Sequence, residues 1–176
     1  MLSIKSLSVS TALSEETLAM TCKVLWEGRL IAHAKNSGTG GCTHLDYVGS
    51  KEDIQAAESW SESKPSLDDD GTQFVYDGKP SFHSLDTMVD TLVDDEQFRK
   101  AIRRSLTRQF KSKTLFLANG RLMETKGVYS PAIKDALLRK FPGATILNCL
   151  TIEKAVELYE ELDKREAQAK QSASTN

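Results

Sequence analysis

The stretch Thr17–Lys35 reads TLAMTCKVLWEGRLIAHAK, and its alternation decides the fold. Leu18, Met20, Cys22, Val24 and Trp26 recur at every second position, with Ala19, Thr21, Lys23 and Leu25 between them. A period of two sends successive side chains to opposite faces of a strand. After Glu27-Gly28 the alternation resumes, with Leu30, Ala32 and Ala34 set against Ile31, His33 and Lys35. Two such runs joined at a polar turn predict a β-hairpin. Outward from it, Leu2, Ile4, Leu7 and Val9 start an earlier extended segment, and Thr43–Val48 supplies a further strand.

The loop between them is Asn36-Ser37-Gly38-Thr39-Gly40-Gly41. Glycine permits positive φ and close approach, and backbone amides in such a loop can form an anion-binding nest. Asn36, Gly38, Gly40, Gly41 and His44 are therefore the candidate ligand loop, the centre of an enzyme or nucleotide-binding reading. The loop lacks the Gly-Lys-Ser/Thr ending of a P-loop and the third glycine of a dinucleotide fingerprint. A plain strand connection is the competing reading. Cys42, His44 and Asp46 alternate, so on one strand they point the same way, as an acid–base or nucleophilic group would require. No second ligand pair completes a zinc site around Cys42, His33 and His44. The triplet Asp68-Asp69-Asp70 lacks the alternation of a calcium loop. Neither metal nor cofactor is expected.

Further along, Ser50 caps a helix over Lys51–Ser63, and Asp53 sits three residues after the cap. Lys64 to Gly71 reads as a solvated loop, and Phe74–Tyr76 as a short strand before Asp77-Gly78. A long helix runs from Leu85 to about Phe110, with Ser84 as cap and an optional break near Asp94-Asp95. Thr114–Ala118 and Arg121–Thr125 form a second hairpin across Asn119-Gly120. Ser130-Pro131 opens a helix through Lys140. Thr145–Leu150 reads as a strand, and Thr151 caps a last helix carrying Ile152, Ala155, Val156, Leu158, Tyr159 and Leu162. The expectation is one α+β domain over residues 1–167: an N-terminal antiparallel sheet, a long central helix, a second hairpin and C-terminal helices. Residues 168–176 are expected to be a disordered polar tail.

Charge is sorted along the chain. Thirteen acidic residues face two basic ones from Glu52 to Glu96, and twelve basic residues face two acidic ones from Gln97 to Gly143. A formal charge of -2 thus conceals neighbouring blocks of opposite sign, which bears on partners rather than on fold. On the long helix, Arg99, Lys100, Arg103, Arg104, Arg108 and Lys111 lie opposite the apolar stripe Phe98, Ile102, Leu106 and Phe110. With no acid in that segment, they are expected to form an outward, unpaired band. Such a band suits an acidic protein surface or nucleic-acid phosphates; pairing with Asp86, Asp90, Asp94, Asp95 and Glu96 is the structural alternative. The acidic block could instead imitate nucleic-acid phosphates in the basic groove of another protein.

No apolar run reaches the length of a membrane helix, and Met1-Leu2-Ser3-Ile4-Lys5 does not begin as a secretory signal does. Three widely spaced cysteines, Cys22, Cys42 and Cys149, make a reducing cytoplasm the expected setting.

Leu13-Ser14-Glu15-Glu16-Thr17 leads into the hairpin turn Trp26-Glu27-Gly28-Arg29 and then Ala34-Lys35-Asn36-Ser37-Gly38-Thr39-Gly40-Gly41. Further on, Lys113-Thr114-Leu115-Phe116 precedes Tyr129-Ser130-Pro131-Ala132-Ile133-Lys134. The arrangement resembles small uncharacterised proteins of bacteriophages and other bacterial mobile elements. The resemblance implies the cytoplasm of a bacterial host and assigns no activity to single residues. It implies a non-enzymatic protein that binds host or defence machinery, such as an inhibitor of a defence nuclease complex. A nucleic-acid-binding accessory protein using residues 97–113 is the alternative.

Overall fold

The computed structural model describes residues 1–68 and 71–174, and the protein is α+β. The chain has two compact units, Met1–Glu96 and Gln97–Asn176.

In the first unit, β1 (Leu2–Val9), β2 (Met20–Trp26), β3 (Arg29–Asn36) and β4 (His44–Tyr47) form an antiparallel sheet in that order. Glu27 and Gly28 both take positive φ, 49° and 80°, the backbone of a tight hairpin turn whose twist matches the strands. The simple alternation expected of β3 does not hold. Leu25 pairs with Leu30 but Val24 pairs with Ala32, which leaves Ile31 without a partner on β2. The extra residue turns inward, so Ile31 and Ala32 are both fully buried, and Leu30 is exposed. The Ile31 carbonyl accepts the amides of Val48 at 2.9 Å and Gly49 at 3.0 Å. A second irregularity sets two β1 residues between Lys5 and Ser8 against one on β2; Ser6, with φ of 54°, absorbs it.

The helix α1 (Lys51–Glu62) starts where the sequence suggests, with the Ser50 hydroxyl accepting the Asp53 amide at 3.2 Å. It packs Ile54, Ala57 and Trp60 onto the sheet beside Leu85, Met88, Val89 and Val93 from the start of α2 (Leu85–Gln109). Met20, Cys22, Val24, Ile31, Ala32 and Ala34 form the sheet side of this core. Burial of Met20, Val24 and Ile31 contributes roughly 1.5–3 kcal/mol each, and the small Cys22, Ala32 and Ala34 let the helices approach the sheet. The Trp26 and Trp60 rings meet at 5.9 Å between centroids, and Arg29 donates to both Asp53 carboxylate oxygens, from Nε and from a terminal guanidinium nitrogen. No break falls at Asp94-Asp95: α2 is one helix of 25 residues.

The second unit takes the rest of α2, then β7 (Lys113–Ala118), β8 (Arg121–Lys126), α3 (Pro131–Lys140), β9 (Thr145–Ile146) and α4 (Ile152–Ser174). The strand order is β8-β7-β9, antiparallel throughout. Asn119 and Gly120 make the expected turn, and Ser130 caps α3 through the Ile133 amide at 3.3 Å. The strand expected over Thr145–Leu150 stops at Ile146. Beyond it the Asn148 side chain takes the place of a strand: it accepts from the Leu115 amide at 2.8 Å and donates to the Lys113 carbonyl at 3.0 Å. The apolar stripe of α2 is shorter than expected as well. Ile102 and Leu106 are buried, whereas Phe98 is 46% exposed. Four residues turn an α-helix by about 400°, so two such steps carry Phe98 well off the line of Leu106. The helix α4 is capped by Thr151, whose hydroxyl accepts the Lys154 amide at 3.3 Å. It continues through 168–174 of the stretch expected to be disordered; Thr175, Asn176 and, in the aspartate triplet, Asp69 and Asp70 lie outside the described residues.

The Ile31 bulge sets a stability test. A methyl group added at Gly49 would lie 2.8 Å from the Ile31 Cα and 3.1 Å from the Leu30 carbonyl oxygen, and backbone there cannot yield without breaking the two amide contacts. Gly49→Ala is expected to lower unfolding free energy by about 1–3 kcal/mol, several degrees or more in Tm. A thermal melt matching the parent would show that the bulge is not packed as described.

Candidate functional site

The glycine loop is organised by its own chain. The Asn36 side chain accepts the Gly38 amide at 2.9 Å and the Thr17 hydroxyl at 2.8 Å. The Thr17 hydroxyl in turn accepts the Gly40 amide at 3.3 Å. The Gly38 carbonyl takes three amides, from Glu15, Glu16 and Thr17, at 2.8, 3.0 and 3.3 Å. At a φ of 89°, Gly38 is buried so closely that a methyl group would sit 2.1 Å from the Leu13 carbonyl oxygen. Glycine is required here for packing. Two of the amides that an anion cradle would use, those of Gly38 and Gly40, already have partners. Gly41 is exposed, and its carbonyl accepts the Asn36 amide group at 3.3 Å.

The network continues inward. The Asn36 amide group also donates to the buried Thr43 hydroxyl at 3.3 Å, and Thr43 donates to Asp90 on α2. Burial pushes the Asp90 carboxyl above the usual carboxylate range; the Thr43 hydrogen bond pulls it back, and the charges of Asp86 and Asp94 push it up again. Burial also pushes the neighbouring Cys22 thiol up to about 11, with the Asp90 charge adding to it, so Cys22 is a packed thiol rather than a nucleophile. His44 and Asp46 share the outward face of β4, and Cys42 is exposed just before the strand. Among the described residues no hydrogen bond joins the three.

The six cations, five on α2 and Lys111 just beyond its end, do not form the free band that the sequence suggests. Arg99 grips Glu160 of α4 with two bonds, at 2.7 and 2.9 Å. Arg103 approaches Glu153 at 3.6 Å, and Lys100 is half-buried and engaged as well. For Arg99 and Arg103 the acids come from α4, whose Glu160 and Glu153 are two turns apart and run against the direction of the arginines. Arg104 and Arg108, four residues apart on one side of α2, and Lys111, just past its end, remain exposed and form no ion pair among the described residues. These cations can meet phosphates or carboxylates.

A further feature lies within the acidic block: the short strand expected over Phe74–Tyr76 forms as Val75–Tyr76, and the flanking stretch expected to be plain loop is organised around it. Residues 64–68 and 71–83 form an arm bonded to itself. His83 donates to the Lys64 carbonyl at 3.0 Å, Ser66 to Ser81 at 3.0 Å and Phe74 to Ser66 at 2.8 Å. Its tip is the hairpin β5 (Val75–Tyr76) and β6 (Lys79–Pro80), turned at Asp77-Gly78. Leu67, Phe74, Val75, Tyr76 and Phe82 are all exposed, Tyr76 to 74%. The signal was present as Gln-Phe-Val-Tyr beside Asp-Gly, an apolar run with no second run to pair with.

Compared with protein-family models, with curated proteins and with solved structures, the chain matches none. Among the described residues no group of three or more His, Cys, Asp or Glu side chains is placed to hold a metal ion, and no helix is long and apolar enough to cross a membrane.

Three substitutions test these assignments. Asp90→Asn keeps the acceptor for Thr43 and removes the charge. A carboxyl whose folded value is raised binds its proton more tightly folded than unfolded, so its contribution to stability falls as pH rises from the ordinary carboxylate range through the raised value. The variant is expected to melt at or above the parent temperature at pH 7, with the difference closing toward pH 4; a lower Tm at pH 7 contradicts this. On α4, Glu160 is 12% exposed and doubly bonded, whereas Glu153 is 61% exposed and at the edge of contact. Glu160→Gln is expected to cost about 1 kcal/mol, and Glu153→Gln less than about 0.5 kcal/mol. Equal losses in chemical denaturation would show that the two pairs do not differ as described.

Proposed function

We propose that this chain is a non-enzymatic binding protein of phage or mobile-element type, and that the arm 64–83 is its contact with a protein of the bacterial host cytoplasm. One observation carries the reading: of the twelve large apolar side chains exposed among the described residues, five lie between Leu67 and Phe82. Scattered exposed apolar residues are ordinary, but a local concentration marks a contact surface. Aromatic side chains such as Phe74, Tyr76 and Phe82 are the ones that protein interfaces place at their centres. A two-stranded hairpin of this size is marginal alone in water, and a partner that covers its apolar side chains would hold it.

Charge narrows the partner. The arm lies in the block with thirteen acids and two bases, and Asp68 and Asp77 are exposed on it. A complementary surface is an apolar slot with a basic rim. Nucleases offer basic grooves to nucleic acid, and carboxylates can stand in for phosphates there. An inhibitor of a bacterial defence nuclease complex is the specific form of this reading.

The test uses the full chain immobilised against a bacterial lysate, with the retained protein identified and its affinity measured. Phe74→Ser with Tyr76→Ser should weaken that complex at least thirtyfold, as loss of one hot-spot side chain does, while the melting temperature stays near the parent value because both side chains are exposed. Undiminished affinity of the double variant for the same partner would overturn the assignment of the arm.

A further inference from the structure

The helices cover one face of the β1–β4 sheet, and on the other face Lys5, Lys23, His33, Lys35, His44 and Asp46 are exposed. The register places Lys5, Lys23, His33 and Asp46 in one row across all four strands, and Lys35 beside His44 in the next. Directly opposed side chains in such rows stand about 5 Å apart, and neighbouring strands about 4.8 Å. The face therefore carries three lysines and two histidines against a single carboxylate. The lysines form no ion pair among the described residues, and Lys5 faces Lys23 directly, an arrangement that costs stability in a sheet unless an anion relieves it.

The same face carries a shallow, open depression. A cavity of about 510 Å³ is lined by Lys23, His33, Lys35, His44 and Asp46, with the remaining wall also built from the sheet alone. That volume suits a nucleotide-sized ligand. Ammonium groups act as point charges for phosphate, and imidazole offers an N–H donor in either protonation state. No aromatic side chain lines the cavity, so a base or other ring finds no stacking platform.

From this juxtaposition we infer that the open face of the N-terminal sheet binds a small polyphosphate-bearing ligand, with Lys23 and Lys35 as the principal phosphate contacts and His33 and His44 as donors beside them. Recognition is of the phosphate chain rather than of what it is attached to. Asp46, set against His33, opposes a fully anionic occupant of that end and directs the phosphates toward Lys23 and Lys35. The site is independent of the arm and of the partner proposed for it.

Calorimetric titration of the full chain at low salt tests the inference, with inorganic triphosphate, ATP and adenosine as probes. Triphosphate and ATP should bind with affinities within a few-fold of each other, and adenosine should not bind. Lys23→Gln with Lys35→Gln should weaken both at least tenfold, and both side chains are exposed, so the thermal melt should be kept. Arg104→Gln with Arg108→Gln, on the other basic surface, should leave binding unchanged. Absence of triphosphate binding at millimolar concentration, binding of ATP alone, or loss of binding only in the arginine variant would each overturn the assignment.

Discussion

A two-residue turn at Glu27-Gly28 pairs Trp26 with Arg29 and Leu25 with Leu30. Counted on from there without interruption, Val24 would oppose Ile31, Cys22 would oppose His33, and Met20 would oppose Lys35. Opposed residues share a face, so the imidazole and the ammonium would enter the core beside Met20, Cys22 and Val24. The extra residue at Ile31 prevents this. It sets Ala32 and Ala34 against Val24 and Cys22, and it sends His33 and Lys35 to the side of Lys23 and Thr21. A one-residue slip exchanges every side chain between faces; here the slip is built in once, and the inward turn of Ile31 fills the space it creates. Which face receives α1 and α2, and which is left cationic, both follow from that residue.

The turns, caps and helix boundaries were legible because their causes are local. Glu27-Gly28, Asn119-Gly120, Ser50 and Ser130-Pro131 act through the backbone of three or four neighbouring residues, and each does what its chemistry dictates. The bulge was not legible in the same way. Alternation in Arg29–Lys35 is equally good in either register, and only the competition between alanine and histidine for the core decides. The short β9 is a similar case. Thr145–Leu150 has a strand-like composition, but Asn148 meets the Leu115 amide and the Lys113 carbonyl with its side chain, and a residue over thirty positions away cannot be read from a local pattern.

The glycine loop shows how a functional motif and a packing motif can look alike. Positive φ at Gly38 and Gly40 is what an anion cradle needs, and it is also what lets the chain pass within contact of Leu13 and Glu16. Asn36, Thr17 and Thr43 distinguish the two, because they take up donors and acceptors that a ligand would have used. The candidate residues Asn36, Gly38 and Gly40 thus belong to one hydrogen-bonded system reaching Asp90, while His44 belongs to the open face of the sheet.

Charge sorting in the sequence also means something different once folded. Arg29 meets Asp53, Arg99 meets Glu160 and Lys113 meets Glu124, each within its own unit. What remains in the N-terminal unit is arranged by layer. Asp86, Asp90 and Asp94 recur every four residues on α2, so they lie along one side of that helix, and Lys5, Lys23 and Lys35 lie on the far side of the sheet. Packed layers are separated by on the order of 10 Å, too far for direct ion pairs, so these charges do not neutralise one another by contact. A chain with a formal charge of only -2 can in this way present an acidic surface and a cationic one from the same small unit, and the apolar core between them keeps the two available to different ligands.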